Sequence, residues 1–124
     1  MSAIDHLLAA ARARLERVLP EDLPAEMASG AVVVDMRPVE HRLRDGDLPG
    51  AVVVDRNVLE WRLDPTCPHH LPEVSDAGAR IIVVCTEGYG SSLAAATLQD
   101  LGLRNATDLV GGFQALDCCN RREQ

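Results

Sequence analysis

Three short runs of aliphatic residues, uninterrupted by polar ones, constrain the fold of this chain more than any other feature. They occupy residues 31–34, 51–54 and 81–85, and a weaker run occupies residues 109–110. Because apolar and polar residues do not alternate in them, each run is typical of a strand covered on both faces. Stretches with helical character lie between them, at residues 38–44, 57–63 and 92–101. This alternation predicts an α/β fold, with a mostly parallel central sheet and helices on both faces.

The segments outside these runs define the expected domain organisation. Apolar residues recur at helical spacing through residues 2–19, where Ser2 is suited to cap a helix and Pro20 to end it. A short element is expected at residues 21–29, and the Pro-rich residues 64–79 predict a long surface connection. We therefore predict an N-terminal helix over residues 1–19 packed on a single domain at 20–118. Residues 119–124 are expected to form a polar C-terminal tail.

Charge and cysteine content narrow the classes of partner and compartment. The net charge of −7 disfavours nucleic acid and anionic membranes, and the 2% aromatic content offers no platform for stacking bases. No apolar stretch approaches the ~20 residues of a membrane span, and the start of the chain lacks a secretory signal.

The four cysteines are too few and too unevenly spaced for a disulfide framework, and the neighbours Cys118 and Cys119 would close a strained ring. A cytoplasmic location is expected.

The strongest local signal is the segment C-T-E-G-Y-G-S-S, from Cys85 to Ser92. It lies between a predicted strand and a predicted helix, at the sheet edge where ligands of α/β proteins bind. Gly88 and Gly90 allow a tight curl that points successive N–H groups inward, and Ser91 or Ser92 can cap the following helix. A thiol at the centre of such a loop is expected to react as a thiolate. The alternative is a buried, inert cysteine at a strand end, which the glycine-bearing loop disfavours.

Four motifs in order give the chain a resemblance to the rhodanese (sulfurtransferase) domain family. They are V-V-V-D-M-R at residues 32–37, G-D-L-P-G-A at 46–51, C-x-x-G-x-x-S at 85–91 and V-G-G-F-Q-A-L at 110–116. Asp47 stands where the family usually has His, and Leu116 where it has Trp. The resemblance covers roughly residues 20–116 and implies a rhodanese-like fold.

The resemblance implies that Cys85 is the catalytic nucleophile. It would take a sulfane sulfur from a small-molecule or protein donor and pass it to a thiol or cyanide-like acceptor, with no cofactor or metal. The expected substrate-binding residues are the rest of the loop together with two residues after the first strand: Thr86, Glu87, Gly88, Tyr89, Gly90, Ser91, Asp35 and Arg37.

The departure that matters most is Gly90, where many active family members carry Arg to hold an anionic donor. Glu87 adds a negative charge to the loop, so thiosulfate is expected to be a poor donor. Arg37, Arg56 and Arg62 are candidates for supplying a cation from neighbouring loops.

Several residues have a structural interpretation beside the functional one. Asp35 and Arg37 are also candidates for a structural ion pair that braces the loops. Tyr89 either recognises a donor or partner or packs onto the domain. The C-P-H-H segment at residues 67–70 lacks a second ligand pair unless Cys118 and Cys119 approach it, so metal binding is not expected. His6 and His41 are interpreted as surface histidines.

Two other functions remain as alternatives. A cysteine-dependent phosphatase needs Arg at the sixth position after the cysteine, to clamp phosphate with two hydrogen bonds, and here that position is Ser91. A non-catalytic binding or regulatory module would keep the fold and let partners dock. The absence of a loop Arg supports this alternative, and the presence of Cys85 opposes it.

Overall fold

A computed structural model describes residues 1–122. A four-stranded, wholly parallel sheet with the strand order β2-β1-β3-β4 forms its centre. The strands are β1 (Val32–Asp35), β2 (Val52–Val53), β3 (Ile81–Val84) and β4 (Ala106–Asp108). The helices are α1 (Ala3–Ala13), α2 (Leu23–Ala28), α3 (Val39–Asp45), α4 (Leu59–Leu63), α5 (Gly90–Asp100) and α6 (Gly112–Arg122). Short 3₁₀ turns at Pro20–Asp22 and Arg56–Val58 precede α2 and α4. The predicted α/β class with a parallel sheet is confirmed.

Both faces of the sheet are covered by an apolar cluster, and this explains why the strand sequences do not alternate. Along β3, Ile81 and Val83 join the cluster under α4 and α5, whereas Ile82 and Val84 join the cluster on the opposite face. All four side chains are fully buried. A strand with two buried faces needs apolar residues at every position.

Three predicted elements differ from the structure. Helix α1 begins with the expected capping box at Ser2 but ends at Ala13, and the chain then runs on to Val18, which pairs in parallel with Leu109. The fourth strand is β4, just before the weak apolar run at residues 109–110. Helix α6 continues to Arg122, into the polar tail predicted from residue 119. The last two residues of that predicted tail lie outside the described part of the chain.

The Pro-rich connection was predicted correctly. Residues 64–79 contain no helix or strand, and Leu71 and Val74 anchor this segment by packing into the core. Among residues 1–122, no helix is long and apolar enough to cross a membrane.

Candidate active site

Cys85 directly follows β3, at the carboxyl edge of the sheet. Its Sγ accepts hydrogen bonds from two backbone N–H groups, those of Gly88 at 3.1 Å and Ser91 at 3.4 Å. Cys85 is partly exposed. Inward-pointing N–H groups at the start of an eleven-residue helix stabilise a negatively charged sulfur.

The start of α6 holds the outer side of this loop. The N–H groups of Phe113 and Gln114 donate to the carbonyl oxygens of Cys85 (2.8 Å) and Thr86 (3.1 Å). These bonds fix the loop carbonyls outward, which leaves the loop N–H groups free to face the sulfur. The approach requires glycine at residue 112, where a Cβ would lie 2.5 Å from the oxygen of Cys85.

Asp108, at the end of β4, links the first turn of α5 to the N-terminal segment. Its fully buried carboxylate accepts hydrogen bonds from the hydroxyls of Ser91 (2.7 Å) and Ser92 (2.8 Å) and from Nε of Arg17 (2.9 Å).

The prediction that Ser91 or Ser92 caps α5 is therefore wrong. Tyr89 occupies the cap position without a side-chain hydrogen bond, and both serines lie inside the helix.

Two arginines from the N-terminal segment converge on the loop. Nη2 of Arg12 and Nη2 of Arg17 both donate to the carbonyl oxygen of Gly88, at 2.8 and 3.1 Å. No sequence motif distinguishes these two arginines. Their five-residue separation matches no helical face, because α1 ends between them.

His41, interpreted from the sequence as a surface histidine, also contacts the Cys85 loop. Its Nδ1 lies 2.6 Å from Oγ1 of Thr86, and the Thr86 side chain is almost fully buried. The interpretation of His41 as an isolated surface histidine is therefore wrong. No motif distinguishes His41, since its partner is forty-five positions away.

Asp35 and Arg37 form a buried ion pair. The guanidinium bonds both carboxylate oxygens, with Nη2 of Arg37 at 2.8 Å from Oδ2 of Asp35, and the same Nη2 donates to the carbonyl of Gly46. It also stacks on the Phe113 ring, 3.8 Å from its centroid. The pair thus braces the loops that follow β1 and α3, as the structural interpretation expected. A direct role in substrate binding stays a prediction.

The mouth of the site contains exposed and charged groups. Glu87 is exposed, Tyr89 is 59% exposed, and the Arg12 guanidinium lies 5.4 Å from the centroid of the Tyr89 ring. Arg44, on α3, has its pKa raised mainly by a hydrogen bond to Asp45 and to a smaller degree by the negative charge of Glu87. The same hydrogen bond lowers the pKa of Asp45. Asp45 is therefore the main partner of Arg44, and Glu87 is only a minor electrostatic neighbour of it.

The other candidate cations have their own partners. Arg56 bonds Glu60 one helical turn away, and Arg62 donates to the carbonyl of His69. Neither arginine forms a hydrogen bond to the Cys85 loop within residues 1–122.

The remaining cysteines are not part of this arrangement. All four cysteines are free, and Cys118 is exposed on α6. Within the described part of the chain, no three His, Cys, Asp or Glu side chains form a group that could hold a metal ion.

A thiol that accepts two backbone hydrogen bonds at the end of a parallel strand is the arrangement expected of a cysteine nucleophile. The sequence profile of the family described as "Rhodanese-like domain" matches residues 19–117. The chain belongs to the rhodanese-like domain family.

Individual relatives agree with this assignment. The chain is 31% identical to thiosulfate sulfurtransferase GlpE of Stutzerimonas stutzeri over 102 residues. The matched region covers 80% of this chain and 82% of that protein. A solved structure from Rhodopseudomonas palustris, described as a protein of unknown function and possible tyrosine phosphatase, has a TM-score of 0.86 and 32% identity, over 97% of this chain and 92% of its own. A rhodanese homologue from Thermus thermophilus has a TM-score of 0.58 and 32% identity, over 81% and 99% of the two chains.

Proposed function

We propose that Cys85 carries a transferable sulfur as a persulfide, in a cytoplasmic sulfurtransferase reaction. Family membership and relatives named as thiosulfate sulfurtransferases make the chain a rhodanese-like sulfurtransferase. The observation that carries the proposal is the pair of N–H groups, from Gly88 and Ser91, on the sulfur of Cys85. A reduced compartment suits a reaction that starts from a free thiol.

The reaction takes two displacement steps. The Cys85 thiolate attacks the outer sulfur of the donor, the donor S–S bond breaks, and the leaving group (sulfite, when thiosulfate is the donor) departs with the electron pair. A thiol or cyanide acceptor then attacks the outer sulfur of the persulfide and regenerates the thiolate. Splitting one transfer in this way is covalent catalysis. The inward N–H groups of the loop stabilise the negative charge on the sulfur throughout.

The donor site of this chain is short of positive charge. Gly90 offers no side chain at the start of α5, and the exposed Glu87 repels dianions. We therefore propose that thiosulfate is a weak donor here, and that a less charged small molecule or a protein persulfide is the better one. Thr86, Tyr89 and the loop backbone are the proposed substrate contacts.

A phosphatase reaction is not supported by the site, although one similar structure is described as a possible tyrosine phosphatase. The residue six positions after the cysteine is Ser91, whose hydroxyl is buried against Asp108. A serine held in this way cannot supply the two parallel hydrogen bonds with which arginine clamps phosphate.

Intact-mass spectrometry after incubation with a sulfane donor tests the proposal. We expect the wild type to gain one sulfur atom that cyanide removes as thiocyanate, and Cys85→Ser to gain none while remaining folded. The matched control is the Cys118→Ser,Cys119→Ser double variant, which should gain sulfur normally. Absence of sulfur uptake by the wild type from every donor would leave the non-catalytic binding module as the better function.

A further inference from the structure

We propose that Arg12 and Arg17 are positioning residues. They hold the Cys85 loop in one conformation and determine the net charge beside it. This inference rests on the proposed role of Cys85 and adds a part of the active site that precedes the family domain. Both residues lie outside the matched residues 19–117.

Gly88 is held from both sides of the loop. Its N–H donates to the sulfur of Cys85, while its carbonyl accepts from Arg12 and Arg17 on the opposite side of the loop. Gly88 has φ +87°, and a Cβ there would lie 2.7 Å from the backbone nitrogen of Gly111. A residue with this conformational freedom needs outside contacts to hold one orientation. The two guanidinium groups fix the carbonyl and therefore oppose rotation of the loop away from the sulfur.

The two arginines are also linked to Ser91, the other donor to the sulfur. Arg12 donates through Nε to the hydroxyl of Ser92 at 3.1 Å, and Arg17 bonds the buried carboxylate of Asp108. That carboxylate also accepts from both serines of α5. The same two arginines thus hold the first turn of α5, where the N–H of Ser91 originates.

The two arginines also change the net charge beside the loop. Arg17 is paired with Asp108, but Arg12 has no carboxylate partner among residues 1–122. The cluster therefore carries one positive charge in excess beside a carbonyl of the cysteine loop. Positive charge near a thiolate or persulfide stabilises it, and more strongly where side chains are partly withdrawn from water. Arg12 therefore supplies, on the side of the loop opposite the sulfur of Cys85, a positive charge that Gly90 does not supply on the donor side.

The chain reaches this position because it leaves the helix after Ala13 and pairs with β4. The N–H of Val18 donates to the carbonyl of Asp108, and Val18 accepts from the N–H of Val110. The hydroxyl of Thr107 also donates to the carbonyl of Glu16. Backbone pairing thereby fixes the position of Arg17, and packing of α1 on α5 fixes that of Arg12.

The test measures the rate at which iodoacetamide alkylates Cys85 at neutral pH, together with kcat and KM for sulfur transfer. Arg12→Gln is the main variant, because it removes the unpaired charge and leaves no buried carboxylate without its cation. We expect alkylation and kcat/KM to fall by about tenfold, as for loss of a charged hydrogen bond. The thermal midpoint should stay close to that of the wild type. Arg12→Lys keeps the charge and should lie nearer the wild type than Arg12→Gln.

Arg14→Gln is the matched control. Arg14 leaves the same segment but bonds Asp100 and the carbonyl of Ala96 on α5, so the Cys85 rates should not change. Arg17→Gln should be slower than Arg12→Gln and also less stable, because it leaves the buried Asp108 short of a partner.

Equal alkylation rates for wild type, Arg12→Gln and Arg14→Gln would overturn the inference, and equal rates for Arg12→Gln and Arg12→Lys would overturn its electrostatic part. Alkylation does not involve sulfur transfer. A wild type that takes up no sulfur but still shows the Arg12 effect would therefore refute the proposed function and not this inference.

Discussion

At the scale of single residues, Gly112 shows how closely the fold and the reactive loop are joined. It has φ +66°, and the nearest atoms to an added Cβ are backbone atoms: the oxygen of Cys85, the nitrogen of Gly88 and the carbonyl carbon of Thr86, at 2.5 to 2.7 Å. Backbone atoms cannot move aside as the end of a flexible side chain can. Any side chain at this position must therefore displace the loop that carries the donors to the sulfur.

We expect Gly112→Ala to lower both stability and sulfur transfer. Overpacking and left-handed strain together should cost about 2–4 kcal/mol of unfolding free energy. The control is Gly102→Ala, because Gly102 has φ +99° with no atom within 4 Å of the added Cβ. Gly102→Ala should show only the strain, about 1 kcal/mol, and normal activity. Urea unfolding and steady-state kinetics measure both, and equal losses in the two variants would contradict the proposed contact.

Gly90 allows a direct test of the missing cation. It lacks a left-handed φ, and an added Cβ meets only the end of the flexible Met36 side chain, at 3.3 Å. Gly90→Arg should therefore fold and should lower KM for thiosulfate up to about fivefold, corresponding to about 1 kcal/mol at a partly exposed site. Gly90→Gln adds a long side chain without charge and should not lower KM. If the Gln variant matches the Arg variant, the improvement is not electrostatic.

At the scale of elements, β1, β2 and β3 could be predicted from the sequence, and the edge strand β4 could not. β1 and β3 lie where the runs of Val and Ile predicted them, because a strand buried on both faces needs apolar side chains throughout. β4 has the sequence Ala-Thr-Asp, and its buried polar side chains are satisfied by partners far away in the chain. Local sequence patterns do not predict a strand of this kind.

The end of α1 was missed for a related reason. Leu15 and Val18 continue the helical spacing of the preceding apolar residues, so the pattern predicts one helix up to Pro20. In the structure, Val18 instead pairs with β4 through its backbone, and the two side chains enter the apolar clusters on opposite faces of the sheet. Tertiary pairing of a buried edge decides the conformation here, and periodicity carries no information about it.

The same distinction between local and distant contacts explains which residues of the candidate site could be predicted. Cys85 and its glycine loop form one continuous segment, so the strand–loop–helix pattern identifies them. Arg12, His41 and Asp108 reach the loop from three other elements, and only the folded arrangement reveals them.

The ion pair between α2 and the start of β3 predicts a pH effect on stability. Glu26 bonds Nε and Nη2 of Arg80 at 3.1 and 3.0 Å, and this hydrogen bonding lowers the pKa of Glu26. A carboxyl whose pKa is lowered by folding stabilises the fold above its unfolded pKa, about 4.3. That contribution is lost as the pH falls through the lower, folded value.

Glu26→Gln should therefore be less stable than wild type by about 0.5 kcal/mol at neutral pH, with both partners partly exposed. The difference should vanish in acid, below the lowered pKa of Glu26. Urea unfolding at several pH values measures it. In an Arg80→Gln background the same substitution should have no pH-dependent effect, and persistence of the effect there would mean that Arg80 is not its cause.

At the scale of the whole molecule, the folded unit is larger than the part that matches the family. Residues 1–18 precede the matched segment, yet they supply buried side chains to both apolar clusters and two arginines to the reactive loop. Helix α1 also packs along α5, the helix whose first turn faces Cys85. The N-terminal segment is thus part of the core as well as part of the site, and its loss should affect stability and reactivity together.

Leu15→Ala tests this integration without touching the arginines. Leu15 packs in the cluster under α4 and α5, so truncation should cost about 2–3 kcal/mol of unfolding free energy, the range for a buried leucine near a domain edge. Leu7 lies on the same segment but is 58% exposed, so Leu7→Ala should change stability by no more than about 0.5 kcal/mol. The measurement is urea unfolding followed by circular dichroism. If Leu15→Ala is as mild as Leu7→Ala, the segment is an appendage and the core begins at residue 19. A large loss that appears for Leu15 alone would show that the first eighteen residues fold as one unit with the sheet.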